Sequence, residues 1–132
     1  MSVDEEIRKF CMEAVKKGMR SIILFGSRAK GEHTEESDVD VCVVSSHLPG
    51  DVFRRRCLTP PGYSFISIMG FCPEEFLSML DEENPLVLDI VKYGVALYDD
   101  GFFEKAKEVY LETIRKYGLE RDSAGWTWKV KR

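Results

Sequence analysis

No close pair of cysteines exists in this chain. Cys11, Cys42, Cys57 and Cys72 are separated by 31, 15 and 15 positions, whereas zinc sites are usually built on C-x-x-C ligands. They are expected to be free thiols acting as small apolar core residues in a reducing cytoplasm. No run of 18 apolar residues occurs, so no membrane span is expected. Residues 1–6 are acidic and lack the basic-then-apolar pattern of a secretory leader. There is no excess of positive charge either. Nineteen Lys and Arg face 23 Asp and Glu, for a net charge of −4 over 132 residues. A protein that coats nucleic acid needs a net basic face, so that class is set aside, although a small basic pocket for a nucleotide is not. G-x-G-x-x-G is absent. Gly26 and Gly31 are spaced as in a P-loop, but Glu32-His33 follows where Lys-Ser/Thr is required. The two histidines, His33 and His47, are far apart, fit no Ser-His-Asp arrangement, and read as surface loop residues.

Apolar residues make up 44% of the chain and charged residues 32%, enough for one domain with a core and a charged coat. Val3, Ile7, Phe10, Cys11, Ala14 and Val15 recur at helical spacing, closed by Gly18. The apolar run at 20–25 reads as a buried strand, 26–31 as a turn or short helix, and 32–37 as a polar loop. Val39, Val41, Val43 and Val44 mark a second strand. Residues 46–62 are irregular in composition, and Arg54, Arg55 and Arg56 within them read as a solvated basic face, with contact to a triphosphate, an acceptor or an acidic partner as the alternative. A third strand is expected at 63–71. Two helices follow, one opened by Pro73, the other capped by Asn84 with Pro85 in its first turn and Gly94 past its end. A short strand at 95–98 and an amphipathic helix from Phe102 to Tyr117 complete the pattern. The order implies an α+β fold, a small sheet backed by helices. Trp126, Trp128, Lys129, Lys131 and Arg132 form a basic aromatic tail, expected to pack on the domain or a partner. Residues 1–118 are therefore assigned to the domain and 119–132 to the tail.

Chemistry is concentrated in two stretches, Phe25-Gly26-Ser27-Arg28-Ala29-Lys30-Gly31 and Ser37-Asp38-Val39-Asp40-Val41. Two carboxylates two apart on a strand point to one face. Their repulsion is tolerable when a divalent cation lies between them, and hard oxygen ligands suit Mg²⁺. Glycine directly after a buried strand lets backbone approach a phosphate, and Ser27 adds a hydroxyl donor.

Together these residues resemble the signature of the DNA polymerase β-type nucleotidyltransferases, in particular the small stand-alone members called minimal nucleotidyltransferases. The resemblance implies a palm-like nucleotidyltransferase fold with a small mixed sheet. It implies NTP, with ATP the first candidate, Mg²⁺, and transfer of a nucleoside monophosphate to a protein or small-molecule acceptor. Gly26, Ser27, Arg28 and Lys30 would bind the NTP, and Asp38 and Asp40 would bind metal. It also implies a helical HEPN-type partner in a toxin–antitoxin pair, and self-association is open. The chain has no room for the thumb and fingers of a polymerase. The family's third carboxylate has no counterpart here, because no Asp or Glu lies between Asp51 and Glu74. Ser67 falls in its place, with Asp51 and Asp89 as alternatives. Losing a positioned base typically costs about 10²- to 10⁴-fold, so a degenerate member that only binds nucleotide or partner is the competing expectation.

Overall fold

The computed structural model describes residues 2–32 and 38–128. Expectations placed on His33, Ser37, the rest of the 33–37 loop, Lys129, Lys131 and Arg132 lie outside the described residues. Helix α1 (Val3–Lys16) is followed by strand β1 (Ser21–Phe25), the short helix α2 (Ser27–Lys30) and strand β2 (Val39–Val44). A crossover carrying the short helix α3 (Val52–Arg55) leads to β3 (Ile66–Phe71). Helices α4 (Pro73–Asp81) and α5 (Pro85–Tyr93), strand β4 (Val95–Asp99) and helix α6 (Phe102–Tyr117) follow, and the hairpin β5 (Leu119–Asp122) and β6 (Gly125–Trp128) ends the described chain.

The sheet order is β3-β2-β1-β4. β1 runs antiparallel to β2 and β4, and β2 runs parallel to β3. This is the small mixed sheet expected. Side chains alternate across it. Val39, Val41 and Val43 pack with Ile66 and Ile68 against Phe10 and Ala14 of α1. Cys42, Val44 and Phe71 face the other way and pack with Phe76, Leu80, Leu88 and Phe102 of the α4–α6 layer. α1 also carries a buried carboxylate, Glu6, which accepts hydrogen bonds from the backbone N–H groups of Ser64 and Phe65. Burial pushes the Glu6 carboxyl up, but these donors outweigh it and hold the group below its ordinary range. They also fix where the chain enters β3.

Several expectations change in three dimensions. β3 begins at Ile66 rather than at 63, because residues 64–65 donate to Glu6 instead of to a strand. The irregular stretch contains α3, capped by the Asp51 side chain, which accepts from the Phe53 N–H. The arginine triplet is not a solvated face. Arg54 is exposed, but Arg55 and Arg56 turn inward and share one carboxylate, Glu75. Of the cysteines, all free, Cys42 is buried, Cys11 and Cys72 are half-buried and Cys57 is exposed. The C-terminal segment forms a hairpin that packs on the domain: Arg121 and the Trp126 indole both donate to Asp89 of α5, and Trp126 meets Tyr110 edge-on. Among the described residues no helix is long and apolar enough to cross a membrane.

Glu75 accepts from both guanidiniums at 2.8–3.3 Å and from the Cys72 N–H at 3.1 Å. Burial alone would raise its carboxyl; the Arg55 and Arg56 hydrogen bonds and the Cys72 N–H instead hold it at about 2, against an ordinary 4.5. The unfolded chain therefore takes up this proton first as pH falls. The stabilisation is complete above about pH 4.5 and disappears as pH approaches 2, and it amounts to at most roughly 3 kcal/mol. Glu75→Gln is expected to lower stability at pH 7 by about that amount. It should also flatten the loss of stability between pH 5 and pH 3, with Glu6 and Asp89 keeping the remainder. Urea unfolding at both pH values checks this; an unchanged pH slope would show that Glu75 is not the titrating group.

Candidate active site

β1 ends at Phe25, and Gly26 takes φ +80° and ψ −156°, a conformation that only glycine adopts at low cost. The chain then turns directly into α2. On the neighbouring strand Asp40 pairs with Phe25, so its side chain lies beside that turn. A Cβ on Gly26 would stand 2.5 Å from Asp40 Oδ2. The glycine is therefore required first by the carboxylate and by the backbone angle. Asp38 sits just before β2 and is exposed, while Asp40 is half-buried. Burial, and then the nearby Asp38 charge, hold the Asp40 carboxyl above its ordinary value.

On the other side of Asp40 lies Ser67, its register partner on β3. Ile66 and Ile68 are buried while Ser67 is exposed, so the hydroxyl faces the same side of the sheet as Asp40. Here the helical layer stops short and leaves a cleft of about 420 Å³. Asp40 and Ser67 line it together with Phe25, Met69 and a wall formed by Arg56, Cys57 and Thr59. That wall follows the free edge of β3: Leu58 N–H donates to the Ile68 carbonyl, and Thr59 Oγ1 accepts from the Ile68 N–H. Arg56 is fixed by Glu75, by the Gly70 carbonyl at 2.7 Å, and by stacking 4.0 Å from the Phe71 ring centroid.

The structure thus brings Gly26, Asp40 and Ser67 together, with Ser27 opening α2 and Asp38 next to Asp40. Lys30 is at the far end of α2, 4.6 Å above the Tyr93 ring, and lines a separate depression with Arg121 and Ser123. Neither alternative to Ser67 reaches the cleft. Asp51 caps α3, and Asp89 is engaged by Arg121 and Trp126. Sequence reasoning missed Cys57 and Thr59, and offered Arg56 only as an alternative to a solvated face. The available signal was Asp51 as a helix cap, followed by an arginine pair and then Glu75 beyond the acid-free stretch.

Asp38 and Asp40 suit a hard divalent cation, since both offer carboxylate oxygens and their mutual repulsion raises Asp40. Among the described residues no group of three or more His, Cys, Asp or Glu side chains could hold a metal, so no third carboxylate among them joins the pair.

Comparison with known proteins gives the family and the fold. A family profile described as a nucleotidyltransferase domain matches residues 4–118, and the chain belongs to that family. A Methanocaldococcus jannaschii protein described as a protein adenylyltransferase is 33% identical over 120 residues, spanning 86% of this chain and 78% of the relative. A second protein of that organism with the same description is 37% identical over 49 residues, half of its length. Among solved structures, one described as a toxin–antitoxin with AMP-PNP superposes with a TM-score of 0.52 at 20% identity, covering 88% of this chain and 87% of the other. That likeness concerns the fold alone. The β5–β6 hairpin lies beyond the residues the family profile matches.

Gly26→Ala is expected to lower stability by about 1–3 kcal/mol and to displace Asp40. Gly31→Ala serves as the comparison, because Gly31 has φ +74° but nothing within 4 Å of its added Cβ. Thermal unfolding of both variants tests this. Equal losses would mean that the backbone angle alone, and not contact with Asp40, sets the requirement for glycine at 26.

Proposed function

We propose that this chain is a Mg²⁺-dependent nucleotidyltransferase that moves a nucleoside monophosphate from an NTP, ATP being the first candidate, to a protein or small-molecule acceptor. The observation that carries the reading is the Asp40 carboxylate set against Gly26, with Asp38 adjacent and an open cleft beyond, in a chain of the nucleotidyltransferase family. Asp38 and Asp40 would hold the cation. When bound, it offsets phosphate charge and polarises the group being transferred. Ser27 Oγ donates to a phosphate oxygen, and the Gly26–Ser27 backbone lies against the triphosphate with no side chain between them. Arg28 adds positive charge on the same turn, whereas Lys30, expected beside it, sits over the Tyr93 ring and lines a separate depression. Residues 1–118 form the transferring unit, with 119–132 as an appendage. The four free cysteines favour a reducing, cytoplasmic setting.

A second reading is favoured by a specific feature: among the described residues the cleft is lined by Ser67 and by no acid besides Asp40. In this reading the chain binds nucleotide and a helical HEPN-type toxin partner without useful turnover. The fold neighbour described as a toxin–antitoxin supports such a pairing as a hypothesis. Pyrophosphate release from labelled ATP, with and without a copurified partner, separates the two readings.

ATP binding measured by calorimetry is expected to require Mg²⁺ and to vanish in EDTA. Asp38→Asn with Asp40→Asn should remove the Mg²⁺ dependence and leave thermal stability nearly unchanged or slightly higher, since two repelling carboxylates are lost. Equal affinity with and without the cation would end the metal assignment.

A further inference from the structure

Lys30 is expected from the sequence to bind phosphate, yet its ammonium lies 4.6 Å from the Tyr93 ring centroid. Helix α2, which it ends, is four residues long, and none of them is buried. A helix this short has too few internal hydrogen bonds to fix its own shape. Lys30 is nevertheless tied to the start of that helix. Its N–H donates to the Gly26 carbonyl at 3.2 Å, and two residues on the Glu32 N–H donates to the Ser27 carbonyl at 2.9 Å. A contact that holds the Lys30 side chain therefore also holds a hydrogen-bonded turn that begins at Gly26.

Tyr93 is a fixed platform for such a contact. It is the last residue of α5, and Gly94 follows it. A Cβ at Gly94 would stand 2.7 Å from Ile23 Cγ2 and would overlap the Ile90 carbonyl, so the end of α5 packs directly on β1. The next residue, Val95, pairs with Leu24 of β1, two residues before Gly26. From the other direction, Asp89 lies one turn back on the same face of α5 and accepts from Arg121 at 2.9 Å. This brings the Arg121 guanidinium of the hairpin to 5.7 Å from the ring centroid. Lys92 is 5.5 Å from the same ring, but as its neighbour in α5 it joins no other element to it. The negative face of an aromatic ring attracts cations at these distances. Lys30 is the nearest of the three, and it is the one that belongs to α2.

We propose that Tyr93 is a positioning residue for the nucleotide: its ring holds Lys30, and through Lys30 keeps the Gly26–Ser27 turn in the conformation that receives the triphosphate. This rests on the nucleotide site that both readings above share. Lys30 is thereby an anchor of α2 and not a phosphate ligand. The two roles have opposite signatures. If the ammonium were a phosphate ligand, the ring would compete for it, and removing the ring would leave nucleotide affinity unchanged or improve it. With the ring as anchor, removing it weakens binding although no charge is changed.

The test is calorimetric binding of Mg²⁺–ATP to the full chain, together with hydrogen exchange of its backbone amides without nucleotide. Tyr93→Leu is expected to raise Kd about three- to tenfold, the range that a partly exposed cation–ring contact can carry. Tyr93→Phe, which keeps the ring, should stay within twofold of wild type. Lys30→Met should weaken binding, and should cost less in the Tyr93→Leu background, where the anchor is already gone. Exchange at the Lys30 and Glu32 amides should rise at least threefold in Tyr93→Leu, while that at Ile23 and Cys42 in the sheet stays within twofold. Lys30→Met, at the half-buried end of α2, should raise the same two rates, so the outcome does not depend on Tyr93→Leu folding. Unchanged or tighter binding by Tyr93→Leu, an equal loss in Tyr93→Phe, a Lys30→Met cost undiminished without the ring, or unaltered exchange at Lys30 and Glu32 overturns the proposal. The wild type tells the two levels apart. If it binds Mg²⁺–ATP and Tyr93→Leu binds equally well, the nucleotide site stands and only the anchor is wrong; if it binds none, the nucleotide site falls and the role of Tyr93 falls with it.

Discussion

One carboxylate, Glu75, connects most of what matters in this molecule. It accepts from Arg55 and Arg56 at the end of the crossover and from the first turn of its own helix through the Cys72 N–H. The crossover must carry the chain from β2 back to a parallel neighbour, and such connections are long and offer little regular hydrogen bonding. Anchoring two consecutive arginines from this connection to the start of α4 fixes its path. That path lays residues 56–59 along the edge of β3 and forms one wall of the cleft. Burying Arg55 and half-burying Arg56 on one carboxylate is tolerable because other donors are also used: Arg55 donates to the Pro49 and Gly50 carbonyls, and Arg56 to the Gly70 carbonyl.

The centre of the site rests on a different constraint, close approach. Asp40 is on β2 and Gly26 directly follows the adjacent strand β1, and the carboxylate occupies the volume a Cβ would need. The Gly26–Ser27 turn and the Asp40 carboxylate are thereby placed next to each other without a connecting loop. Burial and the Asp38 charge make the Asp40 carboxylate costly when it is ionised alone. A bound cation would reverse that cost.

The hairpin beyond α6 shows how a polar segment docks without an extensive core. Asp89 on α5 receives Arg121 at 2.9 Å and the Trp126 indole at 2.8 Å. These donors pull its carboxyl below the ordinary range despite partial burial. The aromatic body of Trp126 then packs on Tyr110, so one side chain supplies both an apolar face and a polar edge. The same arrangement commits Asp89 to a structural role and removes it from the candidates for catalysis.

The sequence by itself determined the elements whose signals are local. Apolar periodicity and caps located α1, α5 and α6 closely, because helix ends are written in neighbouring residues such as Asn84, Pro85 and Gly94. The β-branched run at 39–44 marked β2, and the Gly26-Ser27 and Asp38-Asp40 spacing pointed to the family. The placement of Ser67 opposite Asp40 was also legible, as what the family resemblance implied. Tertiary structure alone decided what depends on distant partners. Whether Arg55 and Arg56 face water or Glu75 turns on a helix twenty residues away. Cys57 is exposed because the crossover runs along an edge, and residues 64–65 leave the strand because Glu6 accepts their N–H groups. The tail folds into a hairpin because Asp89 holds it there. A solvated charge and a buried ion pair have the same local sequence, and the difference lies in the partner that the fold brings to it.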